Sequence, residues 1–172
     1  EILLADDFSN DGTWEWLQSI AKTDHNIKIF RNEGPERQGI VYWYDYLCEQ
    51  ATNDIVMFLH ADMYVAPKLD DEILKHIKPG VVVTATRIEP PLHPPGPEKI
   101  LADYGIEPEE FDELQFLRDL NKFKQNKTTE GVFAPWAIYK DDYWKVGGHD
   151  KLFAPQSKED SDIFNRLQLS GC

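Results

Sequence analysis

Cysteine, methionine and positive charge are all scarce in this chain of 172 residues: 2 Cys, 2 Met, and 18 basic residues against 31 acidic ones. Two cysteines make at most one bridge, so a disulfide-built scaffold is excluded and a reducing, cytoplasmic setting is expected. Cys48 falls inside a helical pattern and reads as a small core residue. A net charge of −13 excludes bulk nucleic-acid binding, which needs cations to neutralise phosphates. It also disfavours tight adhesion to anionic lipid. A phosphate compound can still bind if a divalent cation inverts the local field. No apolar run approaches the ~18 residues of a membrane span. No secretory leader is visible, so the Asn126-Lys127-Thr128 sequon is expected to be chance. The chain opens directly on a strand-like Ile2-Leu3-Leu4 without Met and stops at Gly171-Cys172, as though cut from something longer. The setting expected is cytoplasmic, free or peripheral to a membrane.

Hydrophobic residues make up 41% of the chain and include 5 Trp, which excludes a disordered polymer. A chain of this length buries about 68–70% of its unfolded surface, enough for one core. Short apolar runs at 2–5, 27–30, 55–59 and 81–88 read as strands. Helical stripes lie between them: Trp14, Leu17 and Ala21, with Thr13 as cap; Ile40, Trp43, Leu47 and Ala51; and Leu69, Ile73 and Ile77, with Pro67 at the first helical position. This βαβαβαβ order predicts an α/β fold with an open, mainly parallel sheet flanked by helices. The pattern then changes. Residues 90–97 hold five prolines in eight positions and predict an extended loop. That loop, with His93, would serve as a lid or as a stiff surface connection. Helices are expected over 108–124, 141–146 and 157–169, with a strand over 132–139.

In an open α/β sheet, ligands bind beyond the carboxyl ends of the strands. Asp6 and Asp7 follow the first strand and Asp62 follows the third, so these carboxylates are expected to face one crevice. Carboxylates gathered there suit a hard cation, Mn²⁺ or Mg²⁺. The plain alternative is that each Asp caps a turn.

The stretch Ile2-Leu3-Leu4-Ala5-Asp6-Asp7-Phe8-Ser9-Asn10-Asp11-Gly12-Thr13 resembles the second strand and acidic loop of family 2 glycosyltransferases, of GT-A fold. Phe58-Leu59-His60-Ala61-Asp62-Met63 resembles their Asp-x-Asp segment. Gly147-Gly148-His149-Asp150, followed by Glu159-Asp160-Ser161-Asp162 and Arg166, resembles their late Gly-Gly-x-Asp and Glu-Asp-x-Asp…Arg segment. The resemblance implies sugar transfer from a nucleotide-sugar, UDP- or GDP-linked, to the hydroxyl of a saccharide, lipid or other acceptor. Asp6, Asp7 and Ala61 would contact the nucleotide, with Arg37 at the diphosphate. Asp62 would hold the metal, helped by His60 and His149. Asp160, with Glu159 beside it, would take the acceptor proton. Trp136, Gly147, Gly148 and Asp150 would line the sugar and acceptor side. The chain would divide into a nucleotide-sugar half (1–88), a Pro-rich loop and helix (89–130), and an acceptor half (131–172).

Three departures from the family pattern are visible. The family's usual opening strand has no counterpart here, so the chain is expected to start after it. His60 stands where Asp-x-Asp has its first Asp. No Gln-x-x-Arg-Trp follows Asp160, which favours transfer of single sugars over polymer synthesis. Several residues also carry purely structural readings. Ser157 and Asp160 fit a capping box, Asp162 and Arg166 a surface helix pair, and Trp136 a core position. Two other functions remain open at this level. One is a non-catalytic nucleotide or sugar binder of the same fold. The other is a phosphoacceptor receiver domain, with Asp62 as acceptor and Thr84 or Thr86 late in the fourth strand.

Overall fold

The computed structural model describes residues 1–92, 94–96, 99–125, 128 and 133–172. His93, Asn126, Lys127 and the expected strand start at Val132 lie outside the described residues. The chain divides into two compact units, one of residues 1–56, 79–81 and 138–172, the other of residues 57–78 and 82–137.

The first unit opens with two βα steps. Strand β1 (Ile2–Asp6) pairs in parallel with β2 (Ile27–Arg31), in register from Ile2↔Ile27 to Asp6↔Arg31. Helix α1 (Thr13–Ala21) makes the crossover and buries Leu17. Thr13 does not cap α1. Gly12 takes the N-cap at φ 93, and Asp11 accepts from both the amide and the hydroxyl of Thr13. Helix α2 (Gly39–Gln50) turns Val41, Trp43 and Cys48 inward. Phe30, Tyr42, Trp43 and Tyr46 pack edge to face and stacked, with centroids 5.3–5.8 Å apart, a favoured geometry for aromatic clusters. Later in the chain, helices α5 (Lys140–Lys145) and α6 (Glu159–Leu169) complete this core with Tyr143, Ile163 and Leu167.

Strand β3 (Ile55–Phe58), strand β4 (Val83–Thr84) and strand β7 (Trp136–Tyr139) form a three-stranded sheet in the order β3-β7-β4, with β4 antiparallel to β7. In the second unit, β5 (Arg87–Glu89) and β6 (Lys99–Leu101) make a separate parallel pair. The strand expected over 81–88 is therefore two strands. β4 matches β7 at only two residues, and the chain leaves that partner before β5 finds β6. Helix α3 (Leu69–Leu74) begins after Lys68 at φ 68, not at Pro67, and ends before Ile77. The helix expected over 108–124 breaks in two. Glu107 and Glu110 close a capping box around a 3-10 turn at Pro108–Glu110. Asp112 then caps α4 (Glu113–Phe123) by accepting from the Gln115 amide at 2.9 Å. Tyr64, Tyr104, Phe111 and Phe116 gather around this helix.

Candidate functional site

The two acids at the end of β1, Asp6 within it and Asp7 just after, have separate fates, as expected where successive strand residues face opposite sides. Asp6 is buried, 1% exposed. Its Oδ1 accepts from the Ser9 amide at 3.2 Å, and its Oδ2 lies 3.7 Å from Arg31 Nε, beyond hydrogen-bond reach. Asp7 instead knots the loop ahead of α2. Its Oδ1 accepts from Asn32 Nδ2 at 2.8 Å and from the Gln38 amide at 2.9 Å, and its Oδ2 accepts from the Gly39 amide at 2.8 Å. Burial pushes the Asp7 carboxyl up, but these donors and the neighbouring Trp43 indole together hold it below the usual range. The indole N–H itself meets no acceptor at full hydrogen-bond geometry. Gly39 sits at φ 81, and a Cβ there would meet the Pro155 carbonyl oxygen at 2.3 Å, so only glycine lets α2 start here. Arg37, in the same loop, is exposed.

Later in the same unit, Gly147 and Gly148 turn the chain at φ 87 and 68. Arg166 holds that turn: its Nη1 donates to the carbonyls of Val146 at 2.7 Å and Gly148 at 2.8 Å, while Nε donates to Asp162 Oδ2 at 2.8 Å. The Asp162–Arg166 pair is thus part of a clamp and not merely a surface pair. Asp150 accepts from the Leu152 amide at 2.9 Å. Asp45, Gly147, His149, Asp150, Lys151 and Arg166 line most of an open cavity of about 430 Å³. The expected capping box at Ser157 is absent. Lys158 adopts φ 65, α6 starts at Glu159, and Glu159 Oε2 accepts from the Ser157 amide. Asp160 is exposed at the helix start, where its Oδ1 accepts from the Ser161 amide.

His60, Ala61, Asp62 and Trp136 belong to the second unit. The first three are exposed just after β3, where the Met63 amide donates to the His60 carbonyl at 3.3 Å. Asp62 forms no hydrogen bond or ion pair among the described residues. Trp136 is 3% exposed and stacks on Phe58, centroids 4.3 Å apart, so its ring face is spent in the core rather than offered to a sugar. Among the described residues, no three His, Cys, Asp or Glu side chains gather closely enough to hold a metal by themselves. His149, expected as a ligand, turns its Nδ1 to Tyr143 Oη at 2.6 Å.

Sequence reasoning missed Asp45. It lies on the inner side of α2 and binds both Tyr143 and the His149 amide. The signal was an acid set between Val41 and Cys48 on an otherwise apolar stripe.

Comparison with known proteins follows the same outline. No curated protein matches the chain. The mannosyltransferase PcManGT from Pyrobaculum calidifontis, solved with GDP-Man and Mn²⁺, superposes with a TM-score of 0.62 at 19% identity, covering 99% of this chain and 43% of that one. GalNAc-T7, solved with UDP, GalNAc and Mn²⁺, gives 0.56 at 16% identity over 97% and 34%. The chain therefore spans less than half the length of either structure, and the likeness establishes the GT-A fold. The family model described as glycosyl transferase family 2 matches residues 1–147, a stretch that includes Asp6, Asp7 and Asp62. With most of its length matched, the chain belongs to glycosyl transferase family 2.

Proposed function

We propose that this chain supplies the donor-binding part, and part of the acceptor side, of a transferase that moves a sugar from a nucleoside-diphosphate donor to an acceptor hydroxyl. The observation that carries the reading is the family match over 1–147, which spans the acids at the end of β1 and the exposed Asp62 after β3. The match also removes the motive for a receiver domain.

Asp62 suits a Mn²⁺ or Mg²⁺ ion. It is a hard oxygen donor, exposed and unengaged, and such cations are commonly held by one or two carboxylates together with substrate phosphates. His60, two residues earlier, offers a nitrogen donor. When bound, such a cation supplies charge stabilisation for the departing diphosphate. The rest falls to side chains. Asp7 keeps the loop at 32–39 in shape, and that loop carries Arg37, which would meet the diphosphate. Asp6 supports the end of β1 from inside. Asp160, exposed at the start of α6, would accept the acceptor's hydroxyl proton, with Glu159 fixing the preceding turn. The acceptor oxygen then bonds to the sugar's anomeric carbon as the bond to the diphosphate breaks. A base in this role must come within about 3 Å of the hydroxyl, directly or through one water. Gly147, Gly148 and Asp150 would line the acceptor side, beside the cavity described above.

The test is calorimetric titration of UDP and GDP, with and without Mn²⁺, into the wild type and Asp62→Ala. Metal-dependent binding of one nucleotide, lost in Asp62→Ala with thermal stability unchanged, is expected. No binding of either nucleotide overturns the donor-site reading. Binding without turnover of any donor sugar would leave a binder in place of an enzyme.

A further inference from the structure

A buried polar triad lies outside the chemistry proposed above. Asp45 sits on α2, Tyr143 on α5, and His149 just after the Gly147-Gly148 turn. Tyr143 is 0% exposed and His149 4%. Tyr143 Oη lies 2.5 Å from Asp45 Oδ1 and 2.6 Å from His149 Nδ1. The His149 amide donates to the same Oδ1 at 2.9 Å, and Nδ1 lies 3.4 Å from it.

Counting protons assigns the donors. Burial pushes the Asp45 carboxyl up, but the His149 ring, Tyr143 and the His149 amide outweigh it and hold the group below the ordinary value. Asp45 is therefore a carboxylate at neutral pH and can only accept. The Tyr143 hydroxyl is pushed far up, first by burial and then by Asp45, and keeps its single proton. If that proton went to His149, the oxygens of Tyr143 and Asp45 would face each other at 2.5 Å with lone pairs only. Tyr143 must donate to Asp45, so His149 Nδ1 must carry a hydrogen and donate to Tyr143 Oη. In a neutral imidazole, the hydrogen bond made at one nitrogen sets the tautomer.

We infer that Asp45 fixes His149 as its Nδ1–H tautomer, both by turning the Tyr143 hydroxyl toward itself and by lying 3.4 Å from Nδ1, and with its hold on the His149 amide positions the Gly147–Asp150 turn. The significance of that turn rests on the reading that it lines the acceptor side. The turn is gripped on both kinds of backbone group: Arg166 takes the carbonyls of Val146 and Gly148, and Asp45 takes the amide of His149. There is little slack, since a Cβ on Gly148 would lie 2.8 Å from Asp45 Oδ1 and 2.8 Å from the Trp144 ring. Asp45 and Tyr143 are positioning residues and touch no reacting atom.

Long-range ¹H–¹⁵N spectra of the histidine rings test this without any ligand. The wild type should show His149 as Nδ1–H. Tyr143→Phe should keep that tautomer, because Nδ1 can donate directly to the nearby Asp45. Asp45→Ala should invert it, because the Tyr143 proton then turns to Nδ1. In Asp45→Ala the His149 amide should also exchange about tenfold faster or more, the loss of a hydrogen bond to a charged acceptor, while β1–β2 amides stay unchanged. An Nε2–H His149 in the wild type, or an Asp45→Ala protein with tautomer and exchange unaltered, overturns the inference. If Asp45→Ala does not fold, the wild-type and Tyr143→Phe tautomers decide it. Failure of the wild type to bind UDP or GDP with Mn²⁺ overturns the functional reading instead. The two failures are distinct because the tautomer is read with no nucleotide present.

Discussion

Replacing Asp7 by Asn is the most informative single change to the loop ahead of α2. The side chain keeps its shape but loses its charge and one acceptor oxygen. The carboxylate serves three donors, Asn32 Nδ2 and the Gln38 and Gly39 amides, at 2.8–2.9 Å. The best amide orientation keeps the oxygen on Asn32 and Gln38 and turns an NH₂ against the Gly39 N–H. One amide at the start of α2 then goes unsatisfied, at about 1–3 kcal/mol, and two charge-assisted bonds become neutral ones. A total near 3 kcal/mol is expected, which for a chain of this size lowers Tm by roughly 6–12 °C. The pH dependence carries a sign. Asp7 has its folded pKa below the ordinary carboxylate value, because the hydrogen bonds outweigh the burial that opposes them. Its contribution is therefore fully present above the ordinary value and is lost as pH falls through the folded one. Thermal unfolding followed by tryptophan fluorescence should show a constant gap between wild type and Asp7→Asn above about pH 5, narrowing on acidification. A gap below about 0.5 kcal/mol at neutral pH, the scatter of ordinary surface changes, or a gap that widens as pH falls, would refute the account of Asp7 as the knot of this loop.

Further outcomes follow from the packing. Trp136→Ala removes a ring stacked on Phe58 in the second unit and should cost about 3–5 kcal/mol, measured by urea unfolding. A stability loss under about 1 kcal/mol would return Trp136 to the surface role expected of a sugar platform. Burial pushes the Cys48 thiol up to about 12, so a thiol reagent should label Cys172 in the native protein and reach Cys48 only after unfolding. Native labelling of both cysteines at equal rates would contradict the buried placement on α2.

The elements that could be read ahead of the structure are those whose periodicity and ends agree. β1, β2, α1 and α2 alternate apolar runs and stripes with polar loops, and each forms close to where the pattern puts it. The misread stretches are those in which a partner or a local cap decides. Residues 81–88 look like one strand because the residues suit a strand throughout, yet β4 finds only Ala137 and Trp136 opposite it. The start of α4 looks like Pro108 because Pro suits a first turn, but the reciprocal bonds of Glu107 and Glu110 close that turn early. Ser157 and Asp160 match a capping box by spacing alone. Lys158 in a left-handed conformation shows that the spacing was not enough.

The acidic pair gives the same lesson about chemistry. A sequence motif presents Asp6 and Asp7 as one unit, but a strand end sends neighbours to opposite sides. One carboxylate is buried beneath the loop, and the other is already served by three donors. A carboxylate in either condition is poorly placed to take a cation, because it is closed off from solvent or its existing hydrogen bonds would have to be broken first. Asp62 carries neither cost. It is exposed and makes no hydrogen bond or ion pair among the described residues. The three acids that looked alike in the sequence are thus separated by environment. Asp6 and Asp7 hold the loops around them in shape, and Asp62 keeps its oxygens available for the metal and phosphate chemistry proposed above.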